Sequence, residues 1–420
     1  MTHAVRFTGL WRHGDFMKLW TGQTISQFGT FVTWTALPFT AVLTLHATPV
    51  QLGILAFANG TPTLLGLFAG VWVDRLRRRP LMLLTDALRF LLLLAIPAAA
   101  AFGVLRIELC YAVAFLSGVG TLFFDVAYQS YFPAVVGCDH LVDGNSRLQA
   151  TQAGASIVGP SLAGVLVQVL TAPFALIADA CSYLASVGFL LAIRTPEPAP
   201  ITQTTRRDFR GEVAAGWHAL MGKPLLRAIV LYQATTSFFS QARISLLVLF
   251  ATRDLGIGPA LYGIANGIGG VGFLVGALVA GRIAQRRGTG PTIIGATVVA
   301  AVSVLLIPVA SGPVVVAAAL LLLSQAGASG ATAVYTVNQA SLQQVMIPNH
   351  LMGRSRATWR FITWGTGPFG GLLAGILAGF IGLRQTLLIA AVGQVAAVAW
   401  VWASPLRGLQ ALPPRTDDFS

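Results

Sequence analysis

Residues 66–79 read GLFAGVWVDRLRRR and decide how the rest of the chain is interpreted. An apolar run that ends in clustered arginines is typical of a membrane-spanning helix that reaches the inner membrane surface. Gly66 and Gly70 lie four residues apart, a spacing that predicts close approach of a neighbouring helix. Asp74, at the end of the run, is expected to accept hydrogen bonds from the N-terminus of an opposing helix. The stretch therefore predicts a span followed by a short inner loop that its arginines anchor.

The composition of the whole chain agrees with a membrane protein. Apolar residues make up 55% and charged residues 10%, whereas about a quarter of an ordinary globular domain is charged. The net charge of +13 comes from arginines placed between long apolar runs, which indicates membrane topology and excludes a nucleic-acid partner. The cysteines lie far apart and without metal-ligand spacing, so we expect separate thiols, no metal and no cofactor: Cys110, Cys138 and Cys181.

Long apolar runs divide the chain into spans. Because a span needs about 20 apolar residues, the sequence predicts twelve, near 19–45, 50–73, 80–105, 108–133, 147–170, 173–193, 225–250, 260–283, 290–309, 314–342, 355–380 and 384–403. The predicted domains are an N-terminal six-helix bundle (1–193), a cytoplasmic linker (194–224), a C-terminal six-helix bundle (225–403) and a cytoplasmic tail (404–420).

Basic residues set the predicted orientation. They concentrate in the segments on one side of the spans, which predicts a multi-pass protein of the inner membrane with both termini cytoplasmic. Charged residues precede a first span that is too long for a signal peptide, so none is expected: Arg6, Arg12, Asp15 and Lys18. In the linker, Phe209, Val213, Trp217 and Leu220 recur at helical spacing. This predicts an amphipathic helix on the inner surface, with a solvated linker as the alternative.

The two halves of the chain repeat each other. Ala58-Asn59-Gly60 recurs as Ala265-Asn266-Gly267, and Gly159-Pro160 recurs as Gly367-Pro368, at shifts of about half the chain length. Parallel repeats of this kind place a substrate site between the halves near the membrane midplane. The fold class predicted is therefore an all-α integral membrane protein with twelve transmembrane helices in two pseudo-symmetric six-helix bundles.

The loop motif closely resembles the G-x-x-x-D-R-x-x-R-R signature of the major facilitator superfamily. The resemblance implies the major facilitator fold and a conformational motif made of Gly66, Gly70, Asp74, Arg75, Arg78 and Arg79. The segment from Leu19 to Gly29 narrows the resemblance to the branch of macrolide and siderophore (enterobactin-type) exporters. That branch carries an Asp where this chain has Thr30, so this chain departs from the coupling pattern that the resemblance implies for the first helix. The second-half copy of the loop, from Gly281 to Arg287, also lacks its Asp.

Charges inside spans are costly, so each one is a candidate for coupling. Asp86 and Arg89 are three residues apart on one helix and are predicted to pair, as a structural pair or as a proton relay. By resemblance, Asp125 is expected to pair with a motif arginine, assigned to Arg78, and a proton-binding role is the rival interpretation. Asp179 lies deeper in its span.

Arg243 is the remaining intramembrane candidate, at roughly the depth of Asp179 in its own half. A pair between the two is one interpretation. By resemblance, helices 1, 4, 7 and 10 line the central cavity, so Arg243 is also a candidate for an anionic substrate group or a protonating carboxylate.

Aromatic and amide side chains on those four helices suit a bulky, partly apolar organic substrate, with lipid or helix packing as the alternative for each. The candidates are Gln23, Gln27, Phe31, Trp34, Tyr128, Gln129, Phe238, Gln241, Tyr335, Asn338 and Gln339.

The sequence thus predicts a secondary active transporter. It is expected to export a small, partly hydrophobic molecule of drug, antibiotic or siderophore type by alternating access, as a proton antiporter and a monomer. An uptake symporter or lipid carrier of the same fold is the alternative, and a membrane sensor on a transporter scaffold is the alternative of another class. No enzyme is expected, because the zinc H-E-x-x-H, the G-x-S-x-G elbow and the phosphate-binding G-x-x-x-x-G-K-[ST] are all missing from the sequence.

Overall fold

A computed structural model describes residues 13–73, 75–137, 140–195, 197, 209–348 and 351–411. Over these ranges the chain is helical, and they contain no β-strand. The helices are α1 (Gly14–Phe39), α2 (Pro49–Gly60), α3 (Gly66–Val73), α4 (Arg78–Ala101), α5 (Ile107–Val136), α6 (Leu141–Leu170), α7 (Ala172–Ala192), α8 (Phe209–Met221), α9 (Pro224–Arg253), α10 (Pro259–Arg287), α11 (Thr289–Val309), α12 (Val314–Met346), α13 (Met352–Gly365), α14 (Gly367–Ile381) and α15 (Leu383–Trp402).

The predicted spans correspond to these helices. Among the described residues, 10 helical segments are long and apolar enough to cross a membrane, with α13 and α14 forming one of them. The first predicted span is α1, whose many threonines and glutamines lower its hydropathy, together with a π-helical turn at Thr40–Thr44. The second span is α2 and α3, joined by a 3-10 turn at Thr61–Leu65. These two segments complete the predicted set of twelve.

Local sequence signals explain the short connections between helices. Thr48 and Gln51 form a capping box in front of α2, and Pro49 occupies the first turn, where its missing N–H costs nothing. Thr171 alone separates α6 from α7, with a φ of 69°. Gly382 separates α14 from α15 with a φ of 91°, a conformation that glycine adopts without strain. Such tight turns keep consecutive helices adjacent and antiparallel.

The first compact unit contains α1 and α3 to α7, within Met1–Leu45 and Leu65–Gln203. In it α1 packs against α6 and α7, and α4 packs between α5 and α7. Its apolar core is centred on fully buried side chains near one end of the bundle, including Phe16, Met82, Tyr131 and Leu190. This end also carries the N-termini of α1 and α4 and the C-terminus of α7.

The second compact unit contains α8 to α15 and also α2, within His46–Leu64 and Thr204–Ser420. The α2 helix packs on α14, where a Cβ on Gly53 would lie 2.9 Å from the Cα of Gly375. Phe57 and Phe369 pack edge to face along the same line, with ring centroids 5.6 Å apart. Residues 46–64 therefore belong to the second unit although their neighbours in the chain on both sides belong to the first. Gly53 and Gly375 allow the backbones of α2 and α14 to touch.

The linker contains the helix α8. Leu220 is fully buried in a cluster with Leu226, Val230 and Ile347, whereas Trp217 is half exposed. Gly216 lies directly on Thr358 and on the backbone of Arg354 in α13. The Leu220 side of α8 thus packs on protein, and its placement on the inner membrane surface remains a prediction. The side chains of Phe209, Arg210, Glu212 and Val213 lie outside the described part of the structure.

Candidate functional site

Among the described residues, the first unit encloses three acidic or basic side chains in its interior. Asp86 and Arg89 lie on α4 and Asp179 lies on α7, with exposures of 0%, 3% and 0%. Arg89 donates from Nη2 to Oδ1 of Asp86, so the predicted i,i+3 pair is present. Charges that are buried this completely are costly in free energy unless each one is paired or hydrogen-bonded. We call these three residues the acidic cluster, since it holds two carboxylates and one guanidinium.

Asp179 is held by hydroxyl groups from two helices. Thr33 of α1 donates to its Oδ2 at 2.5 Å, and Ser182 of α7 donates to its Oδ1 at 2.8 Å. The backbone of α1 approaches so closely here that a Cβ on Gly29 would overlap both Asp179 and Ser182. Both oxygens of Asp179 are therefore occupied by neutral donors, while the guanidinium bond goes to Asp86.

Arg89 is clamped between two aromatic rings. Its guanidinium carbon lies 4.7 Å from the ring centroid of Phe124 and 4.3 Å from that of Tyr183, a cation–π arrangement from both sides. Its Nη1 also donates to the hydroxyl of Thr121 at 3.3 Å. A Cβ on Gly120 would lie 3.1 Å from the Cγ of Arg89, so the glycine makes room for this side chain. The rings and hydroxyl hold the cation in place between α4, α5 and α7.

Asp125 lies on α5, one residue after Phe124, and its side chain is exposed. It contributes to the electrostatic field at Arg89. Arg78, its predicted partner, stands at the first position of α4 and donates its backbone N–H to Glu197. The pairing of Asp125 with Arg78 stays a prediction from the resemblance.

One arginine of the loop motif, Arg79, binds the end of a neighbouring helix. Arg79 donates from Nε to the carbonyl of Leu190 at 3.1 Å and from Nη2 to that of Leu191 at 3.0 Å. These carbonyls belong to the last turn of α7, where the helix dipole favours a cation. Glu197 accepts from the backbone N–H groups of Arg78 and Arg79, which caps the start of α4. Sequence reasoning overlooked Glu197, whose only signal was an acid among the linker prolines.

The two glycines of the motif do not behave as predicted. A Cβ on Gly66 would lie 3.6 Å from the Leu122 side chain, and a Cβ on Gly70 would meet no described atom within 4 Å. Among the described residues these positions therefore face a side chain or open space, and no helix backbone approaches them closely. Arg75 is exposed, and Asp74 lies outside the described residues.

The second unit holds a chain of polar side chains across three helices. Arg243 of α9 donates from Nη1 to Oε1 of Gln325 on α12 at 3.4 Å. Gln325 donates from Nε2 to Oδ1 of Asn266 on α10 at 2.7 Å, and Asn266 donates to the carbonyl of Tyr262 at 3.0 Å. We call Arg243, Gln325 and Asn266 the guanidinium network. Sequence reasoning missed Gln325, although a polar Ser-Gln pair interrupting an apolar run is a detectable signal.

The candidate cavity residues of α1 fall into two groups. Gln23 and Gln27 are half-buried, and their amide oxygens are buried without a hydrogen-bond partner among the described residues. Phe31 packs over Gly159 and edge-to-face with Trp34, at 5.4 Å between ring centroids. Trp34 itself is 60% exposed. The two glutamines thus have unused hydrogen-bonding capacity, as do the buried hydroxyls of the candidates Tyr128 and Tyr335 among the described residues.

The candidates on α5 and α9 lie mostly within packed surfaces. Tyr128 stacks between Phe124 and Phe132, and Gln129 is exposed. On α9, a Cβ on Gly370 of α14 would overlap the backbone of Phe238. Gln241, also on α9, lies beside Gly367 and Gly371 of α14.

The candidates on α12 are buried in the second unit. Tyr335, Asn338 and Gln339 are 4%, 5% and 7% exposed. Tyr335 packs against Tyr232 with ring centroids 5.0 Å apart, and Asn338 donates to the carbonyl of Val334 one turn earlier. In this conformation these three side chains contribute to the packing of α12.

No group of three or more His, Cys, Asp or Glu side chains that could hold a metal ion occurs among the described residues.

The family comparison covers nearly the whole chain. Residues 7–417 match the family described as transmembrane secretion effector. The chain therefore belongs to this family, whose relatives here are transporters of the major facilitator superfamily, and it is a multi-pass membrane protein. The resemblance predicted from the loop motif and the repeat is confirmed.

Two curated relatives are similar to the chain. The multidrug efflux pump Tap of Mycolicibacterium fortuitum is 28% identical over 378 residues, which cover 86% of this chain and 88% of Tap. The uncharacterized MFS-type transporter YfiS of Bacillus subtilis (strain 168) is 23% identical over 271 residues. That match spans 63% of each chain, so the present chain aligns with less than two thirds of YfiS.

Solved structures support the fold. A bacterial homologue of the iron transporter ferroportin, in an inward-facing state, has a TM-score of 0.72 at 17% identity and covers 94% of this chain and 100% of its own. The nucleoside transporter NupG has a TM-score of 0.73 at 13% identity, with coverages of 93% and 98%. At such identities the likeness shows the fold alone, and that fold is the one predicted.

Proposed function

We propose that this member of the transmembrane secretion effector family exports a small, partly hydrophobic organic molecule of drug, antibiotic or siderophore type, in exchange for protons. The family makes the chain a transporter. A relative named as a multidrug efflux pump, matched over 86% of this chain, supports export of drug-type molecules. We further propose that the protein lies in the inner membrane with both termini cytoplasmic, the orientation that the placement of its arginines predicts. In this proposal it works as a monomer.

The observation that carries proton coupling is the position of Asp179. It is fully buried, about 10 Å along α7 from the helix start, since seven residues of 1.5 Å rise separate it from Ala172. The guanidinium of Arg89 is committed to Asp86, so Asp179 depends on two hydroxyl donors. Buried carboxylates of this kind mark proton relays in membrane transporters.

The hydrogen bonds of Asp179 provide a route from protonation to conformation. An ionised carboxylate only accepts, so Thr33 and Ser182 both donate to it. A protonated carboxyl carries its own O–H donor. In our proposal the proton is taken up on Oδ2, and the hydroxyl of Thr33 then accepts from it. Thr33 belongs to α1, so the proton on Asp179 changes the bonding between α1 and α7. This change biases the carrier between its alternating states.

Glutamine side chains of α1 supply candidate contacts for the cargo. The amide oxygens of Gln23 and Gln27 have no partner among the described residues, and each can accept a hydrogen bond from a substrate N–H or O–H group. Gln23, Gln27 and Phe31 occur on the helix that donates to Asp179. Substrate binding and protonation would therefore act on the same helix.

Transport in proteoliposomes with an imposed pH gradient tests the proposal. The purified protein is screened with a panel of antibiotics, dyes and siderophores, and proton movement is followed with an internal pH-sensitive dye. A proton antiporter accumulates its substrate on the acidic side, whereas an uptake symporter accumulates it on the alkaline side. Absence of gradient-dependent flux for every compound would contradict the proposal.

The coupling site is tested with Asp179→Asn. We expect gradient-driven accumulation to be lost while substrate exchange without a gradient continues. Asp143→Asn is the matched control, because Asp143 is an exposed acid of the same unit that pairs with Arg147 on α6. Asp125→Asn is measured in parallel. Full pH-dependent transport by both Asp179→Asn and Asp125→Asn would exclude these carboxylates as the coupling site.

A further inference from the structure

Arg243 is a cation in a half of the chain whose predicted spans contain no Asp or Glu. Between residues 213 and 416 the sequence contains one carboxylate, Asp254, which follows α9. Asp254 stands 11 residues from Arg243, about 16 Å along the helix, beyond the reach of an ion pair. Among the described residues no carboxylate forms a salt bridge with Arg243. The charge is therefore not neutralised by its own half.

Arg243 also lies deep in the span. It stands 10 residues before Arg253, the last residue of α9, which corresponds to about 15 Å. Asn266 lies about 10 Å from the start of α10, and Gln325 about 16 Å from the start of α12. These three helix ends lie on one side, because successive spans alternate in direction. With a hydrocarbon core of about 30 Å, the guanidinium network is near the midplane and away from lipid headgroups.

The contacts of Arg243 orient it without neutralising it. A guanidinium has five N–H donors, and the described contact uses Nη1 on the neutral amide oxygen of Gln325. Its Nε is buried without a hydrogen-bond partner in the described structure. Gln325 is itself fixed by its 2.7 Å bond to Asn266, so the acceptor oxygen points at the arginine. Donor capacity for a further oxygen ligand thus remains.

Close helix packing holds this arrangement in place. A Cβ on Gly269 of α10 would lie 3.1 Å from Oγ of Ser329 on α12. One turn further along α10, a Cβ on Gly272 would overlap the backbone of α12 at Ala326, and one on Gly276, two turns further, would overlap it at Gly330. Small residues therefore keep α10 and α12 in backbone contact, and this contact positions Asn266 against Gln325.

We propose that Arg243 binds an oxyanion, such as a carboxylate, carried by the transported molecule. The substrate class is then a hydrophobic organic anion. Its negative charge neutralises Arg243, for which residues 213–416 offer no carboxylate at this depth. A planar guanidinium suits this role, because it can donate two parallel hydrogen bonds to one carboxylate. The inference rests on the proposed export function and specifies its cargo.

Binding to the full-length protein in lipid nanodiscs tests the proposal. The probes are 9-anthracenecarboxylate and its neutral carboxamide, which share a ring system and differ in charge. We expect the wild type to bind the carboxylate about tenfold more tightly or better, the size of one charge-assisted hydrogen bond. Arg243→Gln is expected to abolish the preference by weakening carboxylate binding about tenfold. Its melting curve, recorded beside that of the wild type, shows that the variant is folded. Arg243→Lys should retain part of the preference for the carboxylate over the carboxamide.

The matched control is Arg227→Gln, which removes an exposed arginine from the first turn of the same helix. It should keep the full preference. Equal binding of the two probes by the wild type, no binding of the carboxylate, or an unchanged preference in Arg243→Gln would overturn the proposal. So would loss of the preference in nanodiscs containing anionic lipid, which would assign Arg243 to a lipid phosphate. Each of these failures leaves gradient-driven transport and its dependence on Asp179 intact, so it is distinguishable from failure of the export function.

Discussion

The two units handle buried charge in opposite ways. In the first unit, Asp86, Arg89 and Asp179 form an acidic cluster in which the cation is bonded to a carboxylate and held between aromatic rings. In the second unit, Arg243 is bonded to a neutral amide, in a stretch (residues 213–416) whose one carboxylate, Asp254, lies outside the predicted spans. The sequence indicates that the two halves repeat each other, yet the buried charges of the first unit include a surplus acid and those of the second a surplus base. This difference suits a carrier in which one unit takes the proton and the other takes an anionic cargo.

The largest expected effect contrasts the two arginines. Arg89→Gln leaves Asp86 as a buried charge without its cation, which is expected to cost about 3 to 5 kcal/mol of the free energy of unfolding. Arg243→Gln removes a charge from neutral partners and is expected to cost less than about 1.5 kcal/mol. Thermal unfolding of the purified variants in detergent measures both.

The double variant Asp86→Asn with Arg89→Gln serves as the internal control for the first unit. It removes both charges and should recover most of the stability lost in Arg89→Gln. Equal destabilisation by Arg89→Gln and Arg243→Gln would mean that the two environments do not differ in the way described.

An intermediate effect is expected from helix packing in the second unit. Gly276→Ala places a methyl group on the backbone carbonyl of Gly330, which cannot move aside as a side chain does. We expect a loss of about 1 to 3 kcal/mol in the free energy of unfolding. Gly281→Ala on the same helix is the control, because its Cβ meets nothing within 4 Å, and it should be neutral or slightly stabilising. Similar melting temperatures for the two variants would argue against the close α10–α12 contact.

The smallest effect concerns the end of the first unit, outside the predicted spans. Hydrogen bonding to Lys18, then to Thr195 and the backbone N–H groups of Arg194 and Thr195, holds the pKa of Asp15 well below its usual range despite partial burial. A lowered pKa in the folded state stabilises the protein above the unfolded value of about 3.9, and this stabilisation is lost as the pH falls through the folded value.

Asp15→Asn should therefore lower the melting temperature slightly at pH 7, and the difference from wild type should shrink below about pH 4. Asp143→Asn is the comparison variant, since Asp143 makes an exposed pair with Arg147. A constant difference between Asp15→Asn and wild type across this pH range would show that the carboxylate charge is not what stabilises this end.

The helices and the buried pair on α4 were accessible from the sequence because both depend on local spacing. The three-residue separation of Asp86 and Arg89 placed them on one helical face, and the structure joins them. Of the two hydroxyl donors of Asp179, only one could have been predicted from local spacing in the sequence. Ser182 stands three residues away on the same helix, whereas Thr33 is 146 residues distant and comes near only through the packing of α1 on α7.

The close contacts of glycines show the limit of motif reasoning. The spacing of Gly66 and Gly70 predicted a backbone contact, but such contacts occur at Gly53 with Gly375 and at Gly276 with Gly330. A glycine pair permits close approach, and which helix arrives there depends on the whole arrangement of the unit.

The sequence by itself determined the membrane class, the twelve spans, the repeat and the family, because apolar run length, charge placement and a local motif are properties of consecutive residues. Only the tertiary structure decided that Asp179 rests on hydroxyls while Arg89 goes to Asp86, and that Arg243 meets Gln325 and not a carboxylate within the described residues. Hydrogen bonds act over about 3 Å, and partners far apart in the chain reach that distance only when helices pack.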